Sequence, residues 1–229
     1  TRYWRDWSSD VCSSDLTPVA ADGDGVGAWQ AAVLSDGNSY GLTLLQASGS
    51  NPNDFRPIYK ATAMNGSAGV LSDGVKQYLR DSGATSTAQP RTLYIVYKLS
   101  SIIANGRLID SATSASNRQN VFTSASLGNR DVYAGTTVVT TAFTTNYEIF
   151  SVCYNGASST YVIKGSSGGT INPGTNANQG ITLFADRATP PTQYTNALVS
   201  YVLTYAAAHS IATQQAIQAA LNTDFGTLY

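Results

Sequence analysis

The sequence predicts an all-β protein: two antiparallel sheets packed as a sandwich and closed by one short C-terminal helix. Three observations carry this. Short apolar runs recur from Thr17 onward, separated by Gly, Asn, Ser and Asp turn residues. Charged residues make up only 12% of the 229, about half the usual share, and Ser, Thr, Asn, Gln and Gly fill the difference. That is the composition of neutral, hydrogen-bonding sheet surfaces rather than of long charged helices. Third, a single late segment, residues 209–226, carries apolar residues at helical spacing. With 42% hydrophobic residues, a chain of this length builds one sizeable core.

In chain order, the run at 26–34 ends in Ser-Asp-Gly-Asn, and the run at 41–47 ends in Ser-Gly-Ser-Asn-Pro-Asn. Residues 70–72 and 75–79 flank Asp73-Gly74, a hairpin-turn signal. The pentapeptide Val-Leu-Ser-Asp-Gly occurs at 33–37 and again at 70–74, which reads as two strand ends reaching similar turns and not as a repeat unit. "RTLYIVYKL" (91–99) places Leu93, Ile95, Tyr97 and Leu99 on one face and Tyr94 and Val96 on the other. "YEIFSVCYN" (147–155) opposes Phe150, Val152 and Tyr154 to Tyr147, Ile149 and Cys153, and "NALVSYVLTYAAA" (196–208) follows the same rule. Strands apolar on both faces lie centrally in a sheet, or have one face covered and one lining a groove. "SSTYVIKGSSGG" (158–169) and "GITLFAD" (180–186) complete the set. The helix is expected over 210–223, with Ser210 as N-cap, Ile211, Ile217 and Leu221 as its apolar positions and Gly226 as its stop.

Composition excludes several functions. The net charge is −1 and no basic stripe exists, so a nucleic-acid partner is not supported. No apolar run approaches the ~20 residues of a membrane-spanning helix. Two cysteines, Cys12 and Cys153, show no metal-type spacing. Glycoside hydrolysis needs two carboxylates facing across the scissile bond. Glu148 is the single glutamate, no second acid stands beside it, and it reads as a strand-edge or solvated residue. Asp110, Asp131 and Asp186 are not spaced as a dyad on one strand. A Ser-His-Asp triad would have to use His209, the single histidine, and no Gly-x-Ser-x-Gly elbow accompanies it. His209 reads as a half-buried structural residue.

The order "VGAWQ" (26–30), "RPIYK" (56–60), "NGSAGVLSDGVKQYLR" (65–80), "RTLYIVYKL" resembles the concanavalin A-like, laminin-G-like jelly-roll domains. Asn65, Gly66, Val70, Asp73, Gly74 and Leu79 match a stretch of that family, with Ser72 where the family usually has Phe. Residues 147–169 are similar to its strand-turn-strand, and residues 197–226 to its closing strand and capped helix, with His209 where the family often has Leu. The resemblance spans about residues 22–226 and implies a two-sheet jelly roll. That fold hosts enzymes, lectins and purely structural modules, so the ligand has to be argued from residues.

The family's enzymes usually carry their carboxylates on one strand as Glu-x-Asp-x-Glu or a one-residue variant, which this chain lacks. The expectation is therefore a non-catalytic domain. For glycan binding, which needs aromatic faces and planar polar groups, the turn-proximal residues Asn117, Arg118, Arg130, Tyr133, Arg187 and Tyr194 are the candidates. They either rim a binding surface at one end of the sandwich or form solvated loops with local Arg–Asp pairs. In "ADGDGVG" (21–27), Asp22 and Asp24 supply either two calcium ligands or an Asp-Gly turn into the first strand.

Residues 1–16 read unlike the rest. "DWSSDVCSSDL" (6–16) is similar to the in-frame translation of a short-read sequencing adapter, so 1–16 is expected to be non-native and 17–229 to be the domain. Cys12 then drops out, Cys153 is expected to be a lone buried thiol, and upstream domains of the same chain are expected to be missing. The combined expectation is a carbohydrate-binding or adhesion module of a larger extracellular or virion-associated protein. The competing expectation is a purely structural jelly roll, such as a phage tail or fibre component, without a small-molecule ligand.

Overall fold

A computed structural model describes residues 21–26, 28–29, 44–45, 55–81, 86–112, 116–126 and 128–229. Residues 1–16, with Cys12 and the adapter-like stretch, lie outside them, as do most of the runs at 26–34 and 41–47. In chain order the strands are β1 (Ala28–Trp29), β2 (Leu44–Leu45), β3 (Ile58–Met64), β4 (Ser67–Leu71), β5 (Leu79–Asp81) and β6 (Ser86–Thr87). They continue as β7 (Arg91–Leu99), β8 (Arg107–Asp110), β9 (Asn120–Thr123), β10 (Asn129–Tyr133), β11 (Thr137–Ala142) and β12 (Tyr147–Tyr154). The last are β13 (Ser159–Ile163), β14 (Ser166–Ile171), β15 (Asn178–Gln179), β16 (Thr182–Leu183) and β17 (Ala197–Tyr205), followed by helix α1 (Ile211–Asp224).

Two sheets form the sandwich. The first has the order β1-β2-β5-β16-β8-β9-β10-β11 and the second β14-β13-β12-β7-β17-β4-β3, with a small β15-β6 pair beside them. Both sheets contain neighbours distant in sequence, β16 beside β5 and β17 beside β7, as in a jelly roll. The central strands of the seven-stranded sheet are buried on both faces, and alternation decides which core each residue joins. Leu93, Ile95, Tyr97, Leu99, Phe150, Val152 and Tyr154 point between the sheets and meet Leu79, Val121, Val132 and Leu183. Tyr94, Val96 and Ile149 point the other way, into a second core that α1 closes with Leu221 and Phe225. On β17 the alternation breaks at Ser200, where the pairing with β7 slips by one residue. Val199 and Val202 therefore share one core while Leu198, Tyr201 and Leu203 share the other.

The turn expectation at Asp73-Gly74 is overturned. β4 lies in the seven-stranded sheet and β5 in the eight-stranded one, so this segment crosses between sheets and makes no hairpin. Asp73 organises the crossing by accepting from the amides of Val75 (2.8 Å) and Lys76 (3.1 Å). The buried Ser72, at the position of the family's Phe, donates to the Gln77 carbonyl at 3.0 Å. Gly74 has φ +73° and a Cβ there would meet the Asn196 backbone at 2.8 Å, so no other residue fits. The hairpin belongs instead to Asn65-Gly66, both at positive φ, between β3 and β4.

The helix forms where expected. Ser210 caps it by accepting from the Thr213 amide at 3.1 Å. Its buried face is different: Gln214 and Gln218 are fully covered, with Leu221, while Ile211 and Ile217 are half-buried. Gln218 donates to Ser151 Oγ and the Val162 carbonyl and accepts from the Gly165 amide. Gln214 accepts from Ser151 Oγ and donates to Thr160 Oγ1. Both faces of that contact are polar and mutually satisfied, which hydrophobic periodicity does not detect.

Candidate functional site

Glu148 and Arg130 require correction first. Arg130, expected at a solvent rim, is 0% exposed, and Glu148, expected at a strand edge, is 1% exposed. Arg130 on β10 reaches across the sandwich and pairs with Glu148 on β12, and its Nη2 also donates to Tyr97 Oη at 2.6 Å. Tyr97 donates to the same carboxylate, and Thr144 Oγ1 donates to its other oxygen at 3.0 Å. The guanidinium is sandwiched by Phe143 (4.4 Å) and Phe150 (4.8 Å). Burial pushes the Tyr97 phenol well above its ordinary value, so it stays a donor. This cluster ties the two sheets together from within the core, with Arg130 Nε its one buried polar side-chain atom lacking a partner.

The outward face of the eight-stranded sheet is where the remaining candidates meet. Asp110, at the end of β8, is its anchor. Arg118 binds it with two parallel hydrogen bonds, Nε to Oδ1 at 2.9 Å and Nη2 to Oδ2 at 2.6 Å, and the Arg187 amide donates to Oδ2 at 3.2 Å. Burial lowers the Arg118 pKa, but the hydrogen bonds and charge of Asp110 outweigh it, and the net shift is upward. The Arg118 guanidinium stands 5.7 Å from the Tyr133 ring. Asn117 is half-buried in the same loop, and its carbonyl accepts from the Gln179 amide at 3.1 Å. Two of the predicted residues, Arg118 and Arg187, thus meet on one aspartate, with Tyr133 against the first, and spacing could not reveal it because Arg187 lies 77 positions away.

Beside this anchor lies a row of three side chains, one on each of three adjacent strands. Phe122 on β9 pairs in register with Arg107 on β8 and with Asp131 on β10. The Arg107 guanidinium lies 3.8 Å from the Phe122 ring centre. Its single hydrogen bond among the described residues runs from Nε to Gln193 Oε1 at 2.9 Å, and its buried Nη1 has no partner. Burial, then the neighbouring Arg118 charge, lower its pKa to about 10. Asp131 is 5% exposed, its Oδ1 has no partner, and burial raises its pKa against the opposing pull of Arg107. Sequence reasoning misses this row; alternation in "NVFT" and "NRDVY" sends Phe122 and Asp131 to one face, but in "GRLID" Leu108 and Ile109 both face the core and a register shift in β8 brings Arg107 opposite Phe122.

The segment 184–195 borders the face. Arg80 secures it by donating to the carbonyls of Asp186 (2.8 Å) and Ala188 (3.0 Å) and to Thr189 Oγ1 (3.0 Å). Asp186 closes the loop by accepting from the Thr192 and Gln193 amides. Tyr194 is half-buried there, donates to the Pro191 carbonyl at 2.9 Å and lies 6.4 Å from Tyr78. It is a brace of the loop more than a contact residue.

Asp22 and Asp24 make the contacts of a turn beside β3. Asp22 accepts from the Ala61 amide at 3.0 Å and pairs with Lys60 Nζ at 3.3 Å, and Asp24 accepts from the Ala21 amide at 2.9 Å. Lys60 thus stands beside the Asp22 carboxylate, and no group of three or more His, Cys, Asp or Glu residues gathers among the described residues. His209 is half-buried, its Nδ1 2.7 Å from Tyr94 Oη and its ring 4.4 Å from that of Tyr205. Cys153 is a buried free thiol. No described helix is long and apolar enough to cross a membrane.

No family model matches the sequence, and no curated protein matches it. Solved structures do. Domain 4 of an extracellular GH43 arabinanase from Geobacillus stearothermophilus, solved in complex with arabinotriose, superposes with a TM-score of 0.59 at 10% identity, covering 86% of this chain and 100% of that one. The fold is a jelly-roll sandwich. A native heptameric SAP-like pentraxin from Limulus polyphemus shares it with a TM-score of 0.50 at 12% identity, over 62% of this chain and 75% of that one. At such identities the likeness speaks for the fold alone, and it agrees with the concanavalin A-like resemblance read from the sequence.

Proposed function

We propose that the protein is a non-catalytic carbohydrate-binding module that binds its glycan on the outward face of the eight-stranded sheet. The observation that carries this is the row Arg107–Phe122–Asp131: unsatisfied donor and acceptor atoms held rigidly on a sheet, beside Tyr133 and Arg118. Sugars offer hydroxyls that both donate and accept, and a preorganised set of planar polar groups with aromatic neighbours binds them without rearrangement. The likeness to an arabinanase domain solved with arabinotriose supports the same reading. The absence of catalysis rests on how the acids are used. Glu148 is sealed against Arg130, Asp110 is clamped by Arg118, and Asp186 holds its own loop. Of these acids and Asp131, only Asp131 keeps a buried carboxylate oxygen without a partner among the described residues, and one carboxylate makes no glycosidase pair. The module's setting is a larger extracellular protein that acts on or adheres to polysaccharide.

A glycan array probed with the whole chain, with calcium and with a chelator, tests this. Binding that is lost in Arg118→Ala and Tyr133→Ala, and that is indifferent to the chelator, is the expected result. Binding to no glycan overturns the reading in favour of a structural module, and chelator-sensitive binding overturns the assignment of the site.

A further inference from the structure

We infer that the glycan taken by this face is acidic, with its carboxylate on Arg107 and a hydroxyl on Asp131. The inference rests on the carbohydrate-binding reading and narrows it to a ligand class. Four arginines, Arg80, Arg107, Arg118 and Arg187, and three aspartates, Asp110, Asp131 and Asp186, belong to this face and its bordering loop. Their bonding is uneven. Of these four guanidinium groups, only that of Arg118 is bonded to a carboxylate among the described residues. Arg80 spends its donors on carbonyls and hydroxyls. Arg107 reaches only the neutral amide of Gln193, and both its Nη1 and the Arg187 Nε are buried without a partner.

Arg107 is therefore a cation 9% exposed, stacked on Phe122, with no anion bonded to it. Asp110, Asp186 and Asp131 act on it only at longer range, and a desolvated guanidinium gains most from a directly bonded carboxylate, which matches its planar fork. Asp131 is 5% exposed and has the opposite need, since its unpartnered Oδ1 takes a hydroxyl donor and repels a second carboxylate. Both residues pair in register with Phe122, so their α-carbons stand two strand spacings, about 10 Å, apart. Phe122 stands on the strand between them, so a ligand that reaches both polar groups lies across its ring. The ligand is thereby oriented: acid toward β8, hydroxyl toward β10.

The test is an array of uronate- and sialate-bearing oligosaccharides, each printed beside its carboxyl-reduced counterpart. The expected result is binding of acidic members at least about tenfold tighter than of their reduced forms, weakened by added salt. Arg107→Gln is expected to remove the preference. Should that variant fold poorly, Arg187→Gln, at a half-buried position, is expected to reduce the preference in a folded protein. Equal binding of reduced and acidic glycans, or binding of neutral glycans alone, overturns the acidic assignment and leaves the carbohydrate-binding reading standing. Binding of nothing on the array overturns both.

Discussion

Arg130 and Arg107 are both buried and both lie against phenylalanine rings, yet one cluster is closed and the other is open. Arg130 meets Glu148, Tyr97 and Thr141, with Phe143 and Phe150 flanking its plane. Arg107 meets one glutamine amide and no bonded carboxylate, whereas Arg130 is ion-paired; each guanidinium leaves one buried nitrogen without a partner, Arg107 Nη1 and Arg130 Nε. The first arrangement fixes how the two sheets sit on each other. The second costs stability, and a fold keeps such a cost where a ligand offsets it. The contrast separates structure from function in a chain whose candidate residues look alike in sequence.

The largest effect expected is at the closed cluster. Glu148→Ala leaves the Arg130 charge buried without a counter-ion and is expected to destabilise by about 4 kcal/mol, read by denaturant unfolding. Replacing both partners, Glu148→Leu with Arg130→Met, is expected to recover most of that loss, because no bare charge then remains. If the single and double variants are equally unstable, the cluster does not act as an ion pair. Next in size is the helix seam: Gln218→Ala removes the side-chain partner of the Val162 carbonyl and the Gly165 amide and one of the two partners of Ser151 Oγ, and about 2 kcal/mol should be lost.

At the open cluster the sign reverses. Burial penalises the charged form of Asp131 and raises its pKa. Ionising Asp131 therefore imposes a cost that appears as pH rises through the ordinary carboxylate range, near about 4, and is absent below it. Asp131→Asn is expected to gain about 1 kcal/mol at pH 7, with the gain fading under acid, while glycan affinity falls. Thermal unfolding at about pH 7 and about pH 3.5, on either side of that range, checks this; a loss at neutral pH would mean that Asp131 is a structural residue like Glu148. The smallest effect is at His209, whose pKa burial lowers. Its stability contribution is lost as pH falls below the ordinary histidine range, so His209→Phe should flatten the change in melting temperature between about pH 7 and about pH 5.

Much of the fold is readable from residue order. In β7 and β12 strict alternation alone assigns each side chain to its core, because both faces are buried and a one-residue slip would exchange them. Ser210 and Gly226 frame the helix for reasons local to the backbone. Where partners come from far away, the sequence is silent. Asp73-Gly74 has hairpin chemistry but is pulled into a crossover by the two sheets it joins. Arg130 sits beside Asp131 in sequence, and alternation sends one inward to Glu148 and the other outward to the row with Phe122. The glutamines of α1 pack as tightly as leucines because hydroxyls and backbone groups of the sheet await them. The outward-face site is legible only after pairing is known, since Arg107, Phe122 and Asp131 become neighbours through the register of three strands.

The most direct test of the outward-face site is a titration of isotopically labelled protein with a bound oligosaccharide from the array, followed by backbone amide shifts. Perturbations are predicted to concentrate at Arg107, Phe122, Asp131 and Tyr133 and at the loop that carries Arg187 and Gln193, with α1 and the Arg130–Glu148 cluster unmoved. Shifts centred on α1 or on the β14 edge of the seven-stranded sheet would contradict it.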